Sequence, residues 1–174
     1  VSVGEAISAE LGTPLRLSIL DARPGQPLLR CGRFSVYWQS GGGLFVPPIP
    51  EPSERRVQAV LAAYGMGMAA DRPDLVVVDQ EAECAVAIVE VKYLAGDTTS
   101  ARCREAADQV VRYGRGYSLE ATLPTLIRRS VIALSRQAPN LIDDTATAPY
   151  AVDFSGIKQG ALRQWVRERL VPAP

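Results

Sequence analysis

The chain of 174 residues contains no histidine. This absence excludes catalytic sites built on Ser-His-Asp or Cys-His, zinc centres held by imidazole, and metal-dependent nucleases that use a histidine base. Cysteine is scarce as well, since only Cys31, Cys84 and Cys103 are present and no C-x-x-C spacing occurs. This odd number of thiols argues against a disulfide framework or a zinc site and indicates small buried thiols in a reducing, cytoplasmic compartment.

Lysine is also rare in this sequence. Of the 19 basic residues only Lys92 and Lys158 are lysines, and the rest are arginines. This chain normally uses arginine for positive charge, yet it places Lys92 in an apolar strand. We infer that an ammonium is required there, because an ammonium, unlike a guanidinium, is a compact charge that can lose its proton. The formal net charge is zero, so any attraction for nucleic acid must come from local patches.

The sequence predicts one domain over residues 1–174, with an N-terminal hairpin extension over 1–45 and a core over 50–170. No stretch of about 18 apolar residues occurs, so we predict no transmembrane helix, and no signal peptide is visible. Because the chain begins with Val1 rather than Met, we expect it to be a fragment of a larger protein.

Hydrophobic periodicity predicts a mixed α/β order with central strands and helices on both sides. Alternating residues around "DARPGQP" predict a hairpin over 14–39. The next elements are a helix over about 54–65 with Ser53 as N-cap and Val57, Val60, Leu61 and Tyr64 on its apolar face, strands over 74–79 and 85–93, a helix over 100–118, strands over 130–135 and 149–155, and a closing helix over 158–170.

The segment "RPDLVVVDQEAECAVAIVEVKY" (72–93) is apolar on both faces of its two strands, as expected for interior strands covered by helices. In a hairpin symmetric about Ala82, Asp74 lies opposite Glu90. Directly opposed residues share a face, with Cβ atoms about 4.5–5.5 Å apart. Lys92, two residues after Glu90, points the same way. The spacing therefore predicts two carboxylates and an ammonium at one end of a buried hairpin.

Two carboxylates at that distance repel one another, and burial increases the repulsion. A hard divalent cation would offset this, and an all-oxygen site suits Mg²⁺ or Mn²⁺. The metal would activate a water and stabilise charge on a phosphoryl oxygen, while Lys92 would position or deprotonate the attacking water.

These residues resemble a known motif. "PD" at 73–74 followed by "EVK" at 90–92 is similar to the PD-(D/E)xK nuclease superfamily, which includes restriction enzymes and RecB-like nucleases. In "QVVRY" the pair Gln109 and Tyr113 looks like the Q-x-x-x-Y motif of RecB-like members. A looser similarity links "VEVKY" and the following helix to McrC-like restriction subunits. The resemblance covers about residues 50–155.

The resemblance implies a restriction-endonuclease-like fold, with a catalytic core over 50–170, and catalytic roles for Asp74, Glu90 and Lys92. Mg²⁺ would bind Asp74, Glu90 and the Val91 carbonyl, and Glu54 or Glu51 would fill the place of a glutamate that family members often carry in the preceding helix. Gln109 and Tyr113 share a helical edge with Arg102 and Glu105 and would orient DNA or Lys92. The residues expected to meet backbone phosphates are Arg104, Arg112 and Arg115.

We therefore expect a Mg²⁺-dependent deoxyribonuclease, an endonuclease rather than an exonuclease, that acts in restriction, antiviral defence or DNA processing within a larger complex. A single site that cuts both strands would favour a homodimer. Two alternatives stay open: a catalytically inactive DNA-binding or assembly module, and a nuclease that acts on RNA. The plainest interpretation makes Asp74 a turn residue and leaves Glu90 and Lys92 as an exposed edge pair.

Overall fold

The computed structural model describes residues 1–18, 26–38, 52–65, 73–95, 99–118, 121–136 and 147–171, without the side chains at positions 52–55, 57, 58 and 99. The strands are β1 (Leu15–Leu17), β2 (Leu29–Cys31), β3 (Phe34–Trp38), β4 (Leu75–Asp79), β5 (Cys84–Lys92), β6 (Val131–Leu134) and β7 (Tyr150–Asp153). The helices are α1 (Ser2–Leu11), α2 (Pro52–Ala63), α3 (Thr99–Tyr117), α4 (Leu123–Arg129), α5 (Phe154–Lys158) and α6 (Ala161–Trp165), and a π-helical segment, Val166–Leu170, follows α6.

These seven strands form one sheet in the order of the chain. Neighbours from β1 to β5 pair antiparallel, whereas β5 with β6 and β6 with β7 pair parallel. Parallel pairing needs a long crossover connection, and α3 and α4 provide it between β5 and β6. The predicted α/β architecture, a mixed central sheet flanked by helices, is confirmed.

Apolar side chains cover both faces of the central strands, as their sequence predicts. Val77 and Val89 belong to a core cluster that also contains Trp165 of α6. Ile88 belongs to a second cluster on the other face, together with Val110 of α3. The sheet therefore lies between an α1/α6 layer and an α3/α4 layer.

The central hairpin keeps the predicted register at its open end, where Leu75 pairs with Val89. Near the turn the pairing shifts by one residue between Val77 and Val78. This irregularity shortens the connection to residues 80–83, one residue fewer than predicted, and leaves the open end unchanged.

The predicted N-terminal hairpin is wrong in its pairing. β1 pairs with β2, and β2 pairs in turn with β3, so an extra short strand lies between the two that the alternation indicated. A two-residue turn links β2 to β3, and Gly32 takes a φ of 55° there, a conformation that glycine adopts without a Cβ clash. The missed helix α1 precedes this meander and packs Ile7 into the core.

The predicted helix near 54–65 is present as α2, but two residues of its predicted apolar face are largely exposed. Val60 is 56% exposed and Tyr64 is 74% exposed. The helix begins at Pro52, so Ser53 is a helical residue rather than the residue before the helix. Periodicity was a valid guide to the helix and a wrong guide to its packing.

The closing helix is interrupted where one continuous helix over 158–170 was predicted. Gly160 has a φ of 92°, which separates α5 from α6. α5 starts at Phe154. Asp153 caps it, because its carboxylate accepts a hydrogen bond from the Gly156 amide at 2.6 Å. The apolar side chains after this break are nevertheless buried in the core, and they are Leu162, Trp165, Val166 and Leu170.

All three cysteines are free thiols, as predicted. The expectation that all are buried is wrong for Cys84, which is exposed at the start of β5, while Cys31 is buried and Cys103 partly buried. Among the described helices, none combines the length and apolar character needed to cross a bilayer.

Candidate active site

Strand pairing brings Asp74 to the end of β5. The last pair of the β4–β5 ladder is Leu75 with Val89, so the next residues outward are Asp74 and Glu90. The Asp74 carboxylate folds back onto β5, where its Oδ2 accepts a hydrogen bond from the Val91 amide at 2.8 Å. The predicted juxtaposition of these two acidic positions at the open end of the hairpin is confirmed.

Glu90 and Lys92 form an ion pair on the side of β5 that packs against α3. The two residues are separated by one position in a strand, so their side chains share a face. The Lys92 Nζ atom lies 2.8 Å from Glu90 Oε1, and the side chains are only 13% and 5% exposed respectively. Because β5 is paired with β4 on one side and β6 on the other, this is an interior charge pair. The interpretation as an exposed edge pair is wrong.

A third carboxylate reaches Lys92 from α3. Glu105 Oε1 lies 3.5 Å from Lys92 Nζ, and Glu105 Oε2 lies 2.7 Å from Arg102 Nη1. The family resemblance implies that this edge of α3 reaches the charged end of the hairpin, but it assigns the orienting role to Gln109 and Tyr113. Arg102 and Glu105 were noted only as part of the same stripe, because their pairing with Lys92 depends on how α3 docks.

The charges of this cluster affect one another. Burial raises the pKa of Glu90 above its ordinary value. The hydrogen bond and charge of Lys92 oppose the increase, the charge of Asp74 adds to it, and a hydrogen bond from the Asp74 backbone opposes it slightly. Burial alone would lower the pKa of Lys92, but its contacts with Glu90 and Glu105 outweigh burial and raise that pKa. The hydrogen bond from Arg102, followed by the Lys92 charge, lowers the pKa of Glu105. At neutral pH Lys92 is therefore an ammonium.

One carboxylate oxygen of the site has no hydrogen-bond partner among the described residues. Glu90 Oε2 is buried and accepts no hydrogen bond within the described part of the chain. A buried carboxylate oxygen without a partner is unfavourable, because it has lost its water. Val91 donates its amide to Asp74, and in an extended strand the carbonyl of the same residue points to the same side. Three oxygen donors, from Asp74, Glu90 and the Val91 carbonyl, thus lie around this end of the hairpin.

These donors could hold a magnesium ion. Across the described ranges, no group of three or more His, Cys, Asp or Glu side chains is placed to hold a metal. Mg²⁺ is commonly held by one or two carboxylates and keeps several water ligands, so the donors named here fit it. The position of Glu54 in α2 is described but its side chain is not, and Glu51 lies outside the described residues.

A groove of about 510 Å³ runs along the outer side of α3. Its described lining residues are Ala101, Arg104, Glu105, Asp108, Gln109 and Arg112. Two of the three arginines assigned to phosphate contact therefore face this groove. Arg115, in the last turn of α3, is partly buried and does not belong to the described lining. Glu105 lines the groove and also contacts Lys92, so Lys92 lies close to the groove.

The two residues of the Q-x-x-x-Y pattern have different environments. Gln109 lines the groove, and its Oε1 is buried without a hydrogen-bond partner among the described residues. Tyr113 is buried in the α3 core cluster, and the Arg112 guanidinium lies 5.5 Å from the centre of its ring. Gln109 therefore borders the groove, whereas Tyr113 lies in the core with its ring beside Arg112.

Comparison with family models, curated proteins and solved structures finds no match for this chain.

Proposed function

We propose that this domain is a metal-dependent nuclease that hydrolyses phosphodiester bonds in DNA, with a restriction-endonuclease-like fold and membership of the PD-(D/E)xK superfamily. The observation that carries the proposal is the buried Glu90 carboxylate beside Asp74. One of its oxygens contacts Lys92, and the other has no partner among the residues that the structure describes. An ammonium and two carboxylates at the end of an interior hairpin are an unfavourable way to stabilise a fold and a suitable way to bind a cation and a phosphate.

Asp74, Glu90 and the Val91 carbonyl would hold Mg²⁺ or Mn²⁺. When bound, the metal supplies Lewis-acid stabilisation of a phosphoryl oxygen and lowers the pKa of a coordinated water. Lys92 would contribute positive charge and donate hydrogen bonds near the scissile phosphate, because its contacts with Glu90 and Glu105 maintain the ammonium form. Arginine and lysine charges near the phosphate stabilise the charge that develops during cleavage.

The groove along α3 would position the DNA. Arg104 and Arg112 are exposed along it and can meet backbone phosphates, which fixes position without reading sequence. Gln109 lines the same groove, so its amide group would lie beside a bound nucleotide. Glu105 and Asp108 line the same groove, so the basic surface is narrow, consistent with a chain of zero net charge.

The test is cleavage of supercoiled plasmid by the purified protein. We expect nicking and linearisation with Mg²⁺ or Mn²⁺ and none with EDTA; a closed circle has no ends, so cleavage also indicates an endonuclease. Asp74→Ala and Lys92→Ala should each reduce the rate about 100-fold or more. Lys158→Ala is the matched control, since Lys158 is exposed and is the only other lysine. If both site variants cut like the parent, the assignment is wrong. Labelled RNA as a second substrate identifies a ribonuclease.

A second candidate function is a nuclease-like domain that binds DNA or assembles with partners without cutting. It is favoured by the lack of a group of three metal-binding side chains within the described residues. Mn²⁺ titration separates the two candidates. The enzyme should bind Mn²⁺ in a manner that depends on Asp74, whereas the inactive module should not.

A further inference from the structure

Lys92 is shared by carboxylates from two different elements. Glu90 comes from β5 and contacts Lys92 Nζ at 2.8 Å, while Glu105 comes from α3 and lies 3.5 Å away. The side chain of Glu105 is 39% exposed, compared with 5% for Glu90. The ammonium thus has a short buried contact and a longer contact with a carboxylate at the edge of the groove.

The two oxygens of Glu105 have separate partners. Oε2 is 2.7 Å from Arg102 Nη1, and Oε1 faces Lys92. Arg102 lies three residues earlier on α3, a spacing that places both side chains on one helical edge. The guanidinium therefore holds the Glu105 carboxylate in an orientation that leaves one oxygen directed to the ammonium.

A cation on Glu90 would change this balance. A divalent metal and the ammonium would compete for the same buried carboxylate, and two positive charges a few ångströms apart repel strongly where water is excluded. Lys92 would relieve the repulsion by moving the short distance to Glu105, and it would stay beside the site instead of leaving it.

We propose that Glu105 is a positioning residue that receives the Lys92 ammonium when a divalent cation binds Asp74 and Glu90, with Arg102 holding Glu105 in reach. This inference rests on the metal site of the proposed function. It assigns a role to a pair that the sequence motif does not include. It also predicts that Glu105 strengthens metal binding through Lys92 and without contacting the metal.

A double-mutant cycle on Mn²⁺ affinity tests this, with binding measured by electron paramagnetic resonance on the full chain. Glu105→Gln should raise the Mn²⁺ dissociation constant about fivefold or more, because among the described residues Glu90 is then the one carboxylate that contacts Lys92. In the Lys92→Met background the same change should alter the constant less than about twofold. Asp108→Asn is the matched control for loss of one negative charge in the groove, and it should leave the constant within about twofold.

The outcomes are distinct. An effect of Glu105→Gln that persists in the Lys92→Met background would mean that Glu105 binds the metal itself or acts through its charge, and the inference would be wrong. No effect in either background would also overturn it while leaving the proposed function intact. A parent chain without Asp74-dependent Mn²⁺ binding would overturn both. Thermal melting of each variant confirms that the comparison is between folded proteins.

Discussion

Replacing Lys92 with methionine should make the stability of the fold depend on pH in a defined way. The substitution keeps a long side chain of similar volume but removes the cation that lies 2.8 Å from Glu90 Oε1. Glu90 is 5% exposed, and its other carboxylate oxygen has no partner in the described structure. In the variant this carboxylate must stay ionised while buried, or take up a proton.

The direction follows from the pKa of Glu90. Burial raises the folded-state pKa above 4.5, the charge of Asp74 adds to the increase, and Lys92 opposes it, so removing Lys92 raises the pKa further. Below about pH 4.5 the carboxyl is protonated in both states and the loss is small, about 1 kcal/mol for the hydrogen bond. As the pH rises from there through the folded-state pKa, the unfolded chain releases its proton first and stability falls. Near pH 7.5 the loss should approach ~3 kcal/mol, the lower range for a broken buried pair.

Urea unfolding at pH 4.5 and pH 7.5 measures this difference. Lys158→Met is the control, since it removes the other, exposed lysine and should change stability by less than about 0.5 kcal/mol at either pH. The double variant Glu90→Gln/Lys92→Met should recover most of the loss at pH 7.5, because it leaves no buried charge unpaired. An equal loss at the two pH values, or no recovery in the double variant, would refute this account of the pair.

Two further substitutions test how the C-terminal elements are held. Trp165→Phe should lower the free energy of unfolding by about 1–3 kcal/mol in denaturant titration, because Trp165 is fully buried and its Nε1 donates to the Arg129 carbonyl at 2.7 Å; a loss under 0.5 kcal/mol would contradict that. Asp153→Ala should lower it by about 1 kcal/mol, since the carboxylate caps α5, whereas Ser155→Ala on the exposed side of the same turn should be neutral.

The geometry of the candidate site was predictable because a hairpin obeys a simple rule. Residues equally distant from the centre of the turn oppose one another, so the positions of Asp74 and Glu90 follow from spacing alone. The register shift between Val77 and Val78 leaves the pairing at the open end unchanged. The connection is one residue shorter than predicted, and this offsets the shift. The alternation of side chains in a strand then placed Lys92 with Glu90.

Other features depend on interactions that spacing does not encode. Glu105 meets Lys92 only because α3 docks on β5 at a particular depth and angle, and no local pattern specifies that geometry. The short strand β2 contains three residues, too few for alternation to distinguish it from a loop. In α2 a local pattern is present but the packing is not. The apolar periodicity predicted that Tyr64 would be buried, and Tyr64 is exposed.

The location of Glu90 is the strongest argument that this cluster has a role beyond stability. An acidic residue on an interior strand has lost most of its water, and an ion pair in that position is often no more stable than two apolar side chains of the same volume. Neighbouring residues on the same face, such as Ile88, pack against α3 without burying a charge. If this position contributed only to packing, an aliphatic residue in place of Glu90 would stabilise the fold at least as well. The proposed function accounts for both charges, because a divalent cation would satisfy the Glu90 oxygen that has no partner among the described residues and a phosphate would pair with the ammonium.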